Sequence, residues 1–250
     1  MSRVGLIRLA VVVAFVALLE LATRAGWISS YSLIPPSQMA VAAVQILLAG
    51  RMLDDILLTL QNVAAAFVLA VVVGFFGGVL LHQAPRLRRA VDPLLASYYA
   101  VPVFIFYPLM IVIFGLNAWP LIIIGFLFAV AAMVVNTLDG FDRIPRVFFK
   151  VARVQRLSWT AEVFQVTLPA AAPYLFNGAK LCVAYAFIGV IAGEFILAGA
   201  GMGYEIAFAY NNFDNRTMYG LMLLLLVFVT TVNMSLYAWE QRLQRRRGGR

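Results

Sequence analysis

Residues that build covalent or metal-held frameworks are almost missing. The chain has one cysteine, Cys182, and one histidine, His82. A single thiol closes no disulfide within the chain, and one thiol with one imidazole falls short of a structural zinc site. Only two lysines occur, in Phe149-Lys150-Val151 and Ala179-Lys180-Leu181. Neither follows a glycine or precedes a serine or threonine, so the chain carries no phosphate-binding loop for ATP. Charge is scarce too, at 12% of residues. The apolar runs hold no paired carboxylates, and no Ser/His/Asp set is available away from His82, which ends an apolar run and reads as an interfacial polar residue. No catalytic residue, metal or cofactor is expected.

What is abundant is apolar surface. The 250 residues are 64% hydrophobic, with a mean hydropathy of +0.93; soluble domains are about 45–50% apolar. This excess implies lipid as the solvent. The net charge of +8 does not point to nucleic acid, because the basic residues flank the apolar runs, where membrane orientation is set. Six stretches suffice to cross a hydrocarbon core, which takes about 20 helical residues: 4–22, 61–81, 93–116, 119–138, 173–197 and 218–239. The fold class expected is therefore an all-α polytopic membrane protein with about six spans.

Local signals refine this. Arg3 and Arg8 before an apolar run mimic a signal peptide, but Leu21-Ala22-Thr23-Arg24 offers no clean small-residue cleavage site, so a retained first span is expected. No charge lies between Asp92 and Asp139; Gly115-Leu116-Asn117-Ala118-Trp119-Pro120 breaks that stretch into a hairpin. Pro102 and Pro108 predict kinks in the third span. Pro35-Pro36-Ser37 predicts the start of a short helix over about 39–48 on the outer side. With the N-terminus placed in the cytoplasm, sixteen of the nineteen Lys and Arg residues fall on the inner side, leaving Arg24, Arg51 and Arg216 outside. Both termini are then cytoplasmic. The chain reads as a single membrane domain, 1–250, with a cytoplasmic loop at about 139–172 and a basic tail at 240–250.

That loop is the informative segment. Val154, Leu157, Ala161, Phe164 and Leu168 recur at three- or four-residue steps, giving one apolar stripe on a helix or helix-turn-helix. Ser158 is placed to cap the second part, and Arg153, Arg156 and Glu162 occupy the other face. Two readings stay open: a helix pair resting on lipid, or a docking element for a cytoplasmic partner. Trp159, with Leu157, would supply the anchors of such an interface. Elsewhere, Glu194 is the only acid well inside a late span. It reads either as a functional intramembrane residue or as a helix-end acid bonded to the glycine-rich turn at 199–203. With Asn177 and Tyr99 it forms the candidate translocation pathway.

The loop resembles the cytoplasmic motif of binding-protein-dependent ABC permeases: Glu-Ala-Ala, three residues, Gly, nine residues, Ile-x-Leu-Pro. With Pro169 on the motif proline, Ala152, Leu168 and Pro169 match and Val166 matches conservatively, while Lys150 replaces the Glu and Arg156 the Gly. Leu33-Ile34-Pro35-Pro36-Ser37, Phe114-Gly115-Leu116, Asn136-Thr137-Leu138-Asp139-Gly140, and Glu194 followed by Gly201-Met202-Gly203-Tyr204 are also similar to the family. The order of these segments resembles the nitrate/sulfonate/taurine/bicarbonate subgroup across nearly the whole chain.

The resemblance implies an ABC type I importer permease fold in the cell inner membrane. It implies a homodimer with two ABC ATPase subunits and a periplasmic or lipid-anchored substrate-binding protein, moving a small solute by alternating access. The coupling residues it implies are Ala152, Arg153, Arg156, Leu157, Ser158, Trp159, Phe164, Leu168 and Pro169. If the motif glycine takes a positive φ, Arg156 is strained there by about 1 kcal/mol or more; otherwise the loop turns differently. The alternative function is a secondary transporter or channel without an ATPase, which usually shows several midplane charges or broken helices.

Overall fold

The structure, a computed structural model, describes residues 3–29, 31–50 and 52–247. Arg51 and the last three residues of the basic tail lie outside the described residues, as do the side chains of Arg3, Arg8, Tyr99, Arg245, Arg246 and Arg247. The chain is helical, with no strand among the described residues. The helices are α1 (Arg3–Arg24), α2 (Pro36–Ala49), α3 (Leu53–Gln83), α4 (Pro85–Ser97), α5 (Tyr107–Phe114), α6 (Ala118–Asp142), α7 (Arg146–Val154), α8 (Trp159–Glu162), α9 (Leu168–Leu197), α10 (Met202–Asn211) and α11 (Asn215–Arg247).

Four continuous helical runs are long and apolar enough to cross a membrane: α3, α6, α11 and the stretch Trp159–Ile196. The first expected span is α1, 22 residues long, and it leaves Val11, Val12, Val13 and Phe15 more than half exposed. Such a surface is stable only against lipid or another protein. The expected third span, 93–116, is not one kinked helix. It is broken into α4, two 3-10 turns (Tyr98–Ala100 and Val103–Phe106) and α5. The cause is Pro102, whose ring disfavours the helical region at the preceding residue; Val101 is accordingly extended, at φ −84° and ψ 120°. Pro108 makes no kink, because it sits in the first turn of α5, where a missing N–H costs nothing.

The hairpin foreseen after α5 forms as its residues dictate. Gly115 turns at φ +80°. Asn117 then donates to the Phe114 carbonyl at 2.6 Å and accepts from the Trp119 N–H at 2.8 Å, capping α6. The short helix expected over about 39–48 also forms, as α2, with Pro36 in its first turn and Gly50 ending it at φ +68°. The glycine-rich turn at 199–203 leads into α10, which its composition did not announce.

The chain divides into two compact units. The first joins Met1–Leu58 to Glu194–Phe228. Its buried residues include Ile34, Ala42, Met202, Ile206, Leu221 and Leu224. Tyr219 donates its hydroxyl to the Ser32 carbonyl, and Asn215 donates to the Tyr31 carbonyl at 2.7 Å. The second unit joins Thr59–Gly193 to Val229–Arg250. Its buried residues include the small Ala66, Ala129, Ala132, Cys182 and Ala186 beside the larger Ile124, Met133 and Phe187. At the closest approach of α6 and α9, a β-carbon on Gly189 would lie 2.7 Å from the Gly125 Cα. Small residues at such contacts give membrane helices their van der Waals attraction.

Candidate functional site

The segment between α6 and α9 is built from local rules. Pro145 opens α7, and Ala152 on its inner face is buried. Helix α7 ends in a Schellman closure: the Leu157 N–H donates to the Ala152 carbonyl at 3.1 Å and the Arg156 N–H to the Arg153 carbonyl at 3.1 Å. That closure requires a left-handed residue, and Arg156 takes it at φ +50°. The strain foreseen for a non-glycine residue is therefore present, at about 1–2 kcal/mol. Ser158 next caps α8, its hydroxyl accepting the Ala161 N–H at 3.3 Å.

A π turn, Val163–Thr167, joins α8 to α9. Here the Leu168 N–H reaches back five residues to the Val163 carbonyl. Pro169 supplies the reason: it has no N–H to donate four residues back, and its ring crowds the carbonyl there. Turns of this kind recur at functional sites.

The predicted apolar stripe is only partly continuous, because the turn at 155–158 redirects the chain. Trp159, Phe164 and Leu168 come together round one cavity, which also holds Phe75, Phe76, Phe141 and Phe149. Trp159 is 74% and Phe164 70% exposed. Leu157 and Pro169 are half-buried, Ser158 is exposed, and Arg153 and Arg156 project to solvent away from that cavity. Val154 is exposed at the end of α7.

Sequence reasoning missed the polar cluster beside this cavity. Asp142 takes Arg88 at 2.7 Å and the His82 ring nitrogen Nδ1 at 3.1 Å. The partners lie 54 and 60 residues from Asp142. No local signal could pair them; only the unusual presence of polar residues at the ends of two spans hinted at it.

Of the pathway candidates, Asn177 is exposed and donates to Asn136 Oδ1 on α6 at 2.8 Å. The Tyr99 backbone lies in a 3-10 turn. Glu194 is fully buried in the first unit. Its Oε2 accepts the Gly203 N–H at 3.0 Å, at the start of α10, while Asp55 Oδ1 accepts the Gly201 N–H at 2.8 Å. Two carboxylates thus hold one helix N-terminus, where amides and dipole favour negative charge. Glu205, one turn further on, is pushed above the usual carboxylate range by burial and, secondarily, by the charge of Asp55. The three pathway candidates do not converge on one chemical centre, and among the described residues no group of three metal-ligating side chains occurs.

Comparison with known proteins bears on this arrangement. The profile of the binding-protein-dependent transport system inner membrane component family matches residues 66–249. The chain is 30% identical to the nitrate import permease protein NrtB of Synechococcus elongatus, over 76% of this chain and 68% of that one. It is 30% identical to the bicarbonate transport system permease protein CmpB of the same species, over 74% and 66%. It is 26% identical to the putative aliphatic sulfonates transport permease protein SsuC of Bacillus subtilis, over 86% and 80%. The aligned region is thus about two thirds of the length of the first two relatives. In fold, the chain is similar to one from an inward-facing MetNI methionine ABC transporter, with a TM-score of 0.65 and 20% identity, covering 76% of this chain and 95% of that one.

Proposed function

Since the chain belongs to the family of binding-protein-dependent transport system inner membrane components, an ABC importer permease and not an enzyme, we propose that it carries a small inorganic or organic anion across the inner membrane. A separate ATPase drives the step, through the segment from α7 to the π turn. The observation that carries this reading is the exposure of Trp159 and Phe164 on a capped, strained turn, in a chain with no phosphate-binding loop of its own. Large exposed rings are what an interface core selects. The permeases for nitrate, bicarbonate and aliphatic sulfonates support an anion as cargo.

The working unit in this reading is two copies of the chain, two ATPase subunits and a soluble binding protein that delivers the solute. Both termini face the cytoplasm. ATP binding draws the ATPases together, the docking segments follow, and the pathway opens outward; hydrolysis resets it. Glu194, Asn177 and Tyr99 remain the proposed pathway residues.

The test replaces Trp159 and Phe164 together by Asp. Buried unpaired carboxylates cost several kcal/mol in a desolvated interface, so the ATPase is expected to be lost on co-purification while the membrane fold survives. A double variant that retains the ATPase and ATP-driven uptake, or uptake that persists without any ATPase, overturns the reading.

A further inference from the structure

The cavity beside α8 has a volume of about 670 Å³ and its contents are unaccounted for by a docking interface. Phe75 and Phe76 on α3 form its inner end. Phe75 lies eight residues before the last residue of that helix, which is about 12 Å along the axis. The cavity therefore runs from bilayer depth to the polar end of the span. A docked protein side chain has no cause to reach so far into apolar surroundings; an amphiphile has.

The polar lining selects among amphiphiles. Glu162, His82 and Gln83 also line the cavity, and Glu162 is the one lining residue with a full formal charge. Among the described residues its carboxylate has no ion-pair partner, and it stands next to Trp159 and Phe164. A carboxylate among rings is a site for a cation. The nearby cation Arg88 is neutralised by Asp142, and among the described residues no Lys or Arg lines the cavity to attract a net negative headgroup. Asp142 also holds the His82 ring through Nδ1, which leaves the Gln83 amide N–H as the lining donor that meets a phosphate oxygen.

We propose that this cavity binds one phospholipid with a primary-amine headgroup, of the phosphatidylethanolamine type. Its acyl chain lies against Phe75, Phe76 and Val79, its ammonium on Glu162, and its phosphate on the Gln83 amide. A primary ammonium donates hydrogen bonds to a carboxylate, which a quaternary choline cannot do. The lipid would fill the space beneath the docking segment. The proposal rests on the reading above only in taking α3 as a membrane span.

The test uses the purified full-length chain, stripped of lipid and offered equal amounts of phosphatidylethanolamine, phosphatidylcholine and phosphatidylglycerol, with retained lipid counted by native mass spectrometry. About one phosphatidylethanolamine per chain is expected, with a preference of about tenfold, the worth of a charge-assisted hydrogen bond. Glu162→Gln should abolish the preference while leaving the amount of bound lipid similar. Val79→Trp should fill the cavity and remove the lipid. Equal retention of the three lipids, an unchanged preference in Glu162→Gln, or release of the lipid on adding the ATPase subunit would overturn the proposal. Should Val79→Trp fail to fold, Glu162→Gln still decides. Because the readout is bound lipid, a transport failure leaves the result standing.

Discussion

Lys180 on α9 and Glu240 on α11 form an ion pair at 2.6 Å between two helical runs long and apolar enough to cross a membrane. Tyr237 places its ring 5.7 Å from the Lys180 ammonium, and Trp239 meets Phe176 edge-on at 5.4 Å. The Glu240 side chain is 11% exposed, so removing Lys180 takes a cation from a carboxylate with little water around it. Lys180→Met should therefore destabilise the protein by about 3 kcal/mol, and the paired change with Glu240→Leu should recover most of that. Thermal unfolding of the single and double variants in detergent measures the coupling; additive losses would show that the pair contributes no mutual stabilisation.

The strained turn at Arg156 predicts a gain. Glycine pays no side-chain penalty at φ +50°, so Arg156→Gly should stabilise the segment by about 0.5–1 kcal/mol, whereas Arg156→Val should cost more than the native residue. Hydrogen exchange across 146–162 reads the effect locally. The same logic applies to Phe213, at φ +56° after α10.

Around Glu194 the prediction separates charge from space. A β-carbon on Gly201 would lie 2.5 Å from the Glu194 carboxyl carbon, and Gly201 sits at φ +104°. Gly201→Ala should cost about 1–3 kcal/mol. Glu194→Gln keeps the shape and an acceptor for Gly203 and should cost about 1 kcal/mol, with a larger relative loss in reconstituted uptake. Uptake falling only in step with folded protein would leave Glu194 a purely structural role.

Glu205 gives a pH signature. Burial, then Asp55, raise its pKa above the unfolded value. The folded chain consequently holds this proton more tightly than the unfolded one, so stability rises as pH falls through the folded pKa. The penalty is full above that pKa and gone below the unfolded one. Glu205→Gln should flatten this part of the profile, measured as the difference in unfolding midpoint between variant and parent across mildly acidic pH. Identical profiles would refute it.

Orientation is open to labelling, because Cys182 is buried and contributes little background. Asn211→Cys should react with an impermeant maleimide in intact cells, and Arg242→Cys only after lysis. The reverse pattern would invert the proposed topology.

What could be read in the sequence was what is decided within a few residues. Asn117 caps α6, Ser158 caps α8, Pro36 begins α2, and the turn after α7 needs a left-handed residue. Each is settled by a ring or by a hydrogen bond within five positions. The ion pair of Lys180, which falls inside the expected span 173–197, was hidden because Glu240 is 60 residues distant. The Asp142 cluster was hidden for the same reason. The third span was read as kinked because Pro102 and Pro108 were taken to bend one helix; the extended Val101 ahead of Pro102 ended the helix instead. Helix α10 escaped notice because its start is held by Glu194 and Asp55 rather than by a cap of its own.

The π turn at Val163–Thr167 acts on direction rather than on strength. An α-helix rotates about 100° per residue, and a π turn absorbs one residue more than an α turn. Helix α8 thus faces a compass bearing about 100° away from the one an uninterrupted α9 would have given it. Where Trp159 and Glu162 point is set by a count of residues, independently of the side chains that anchor the span. Evolution can re-aim this surface by a single insertion or deletion, at no cost to the packing of α9.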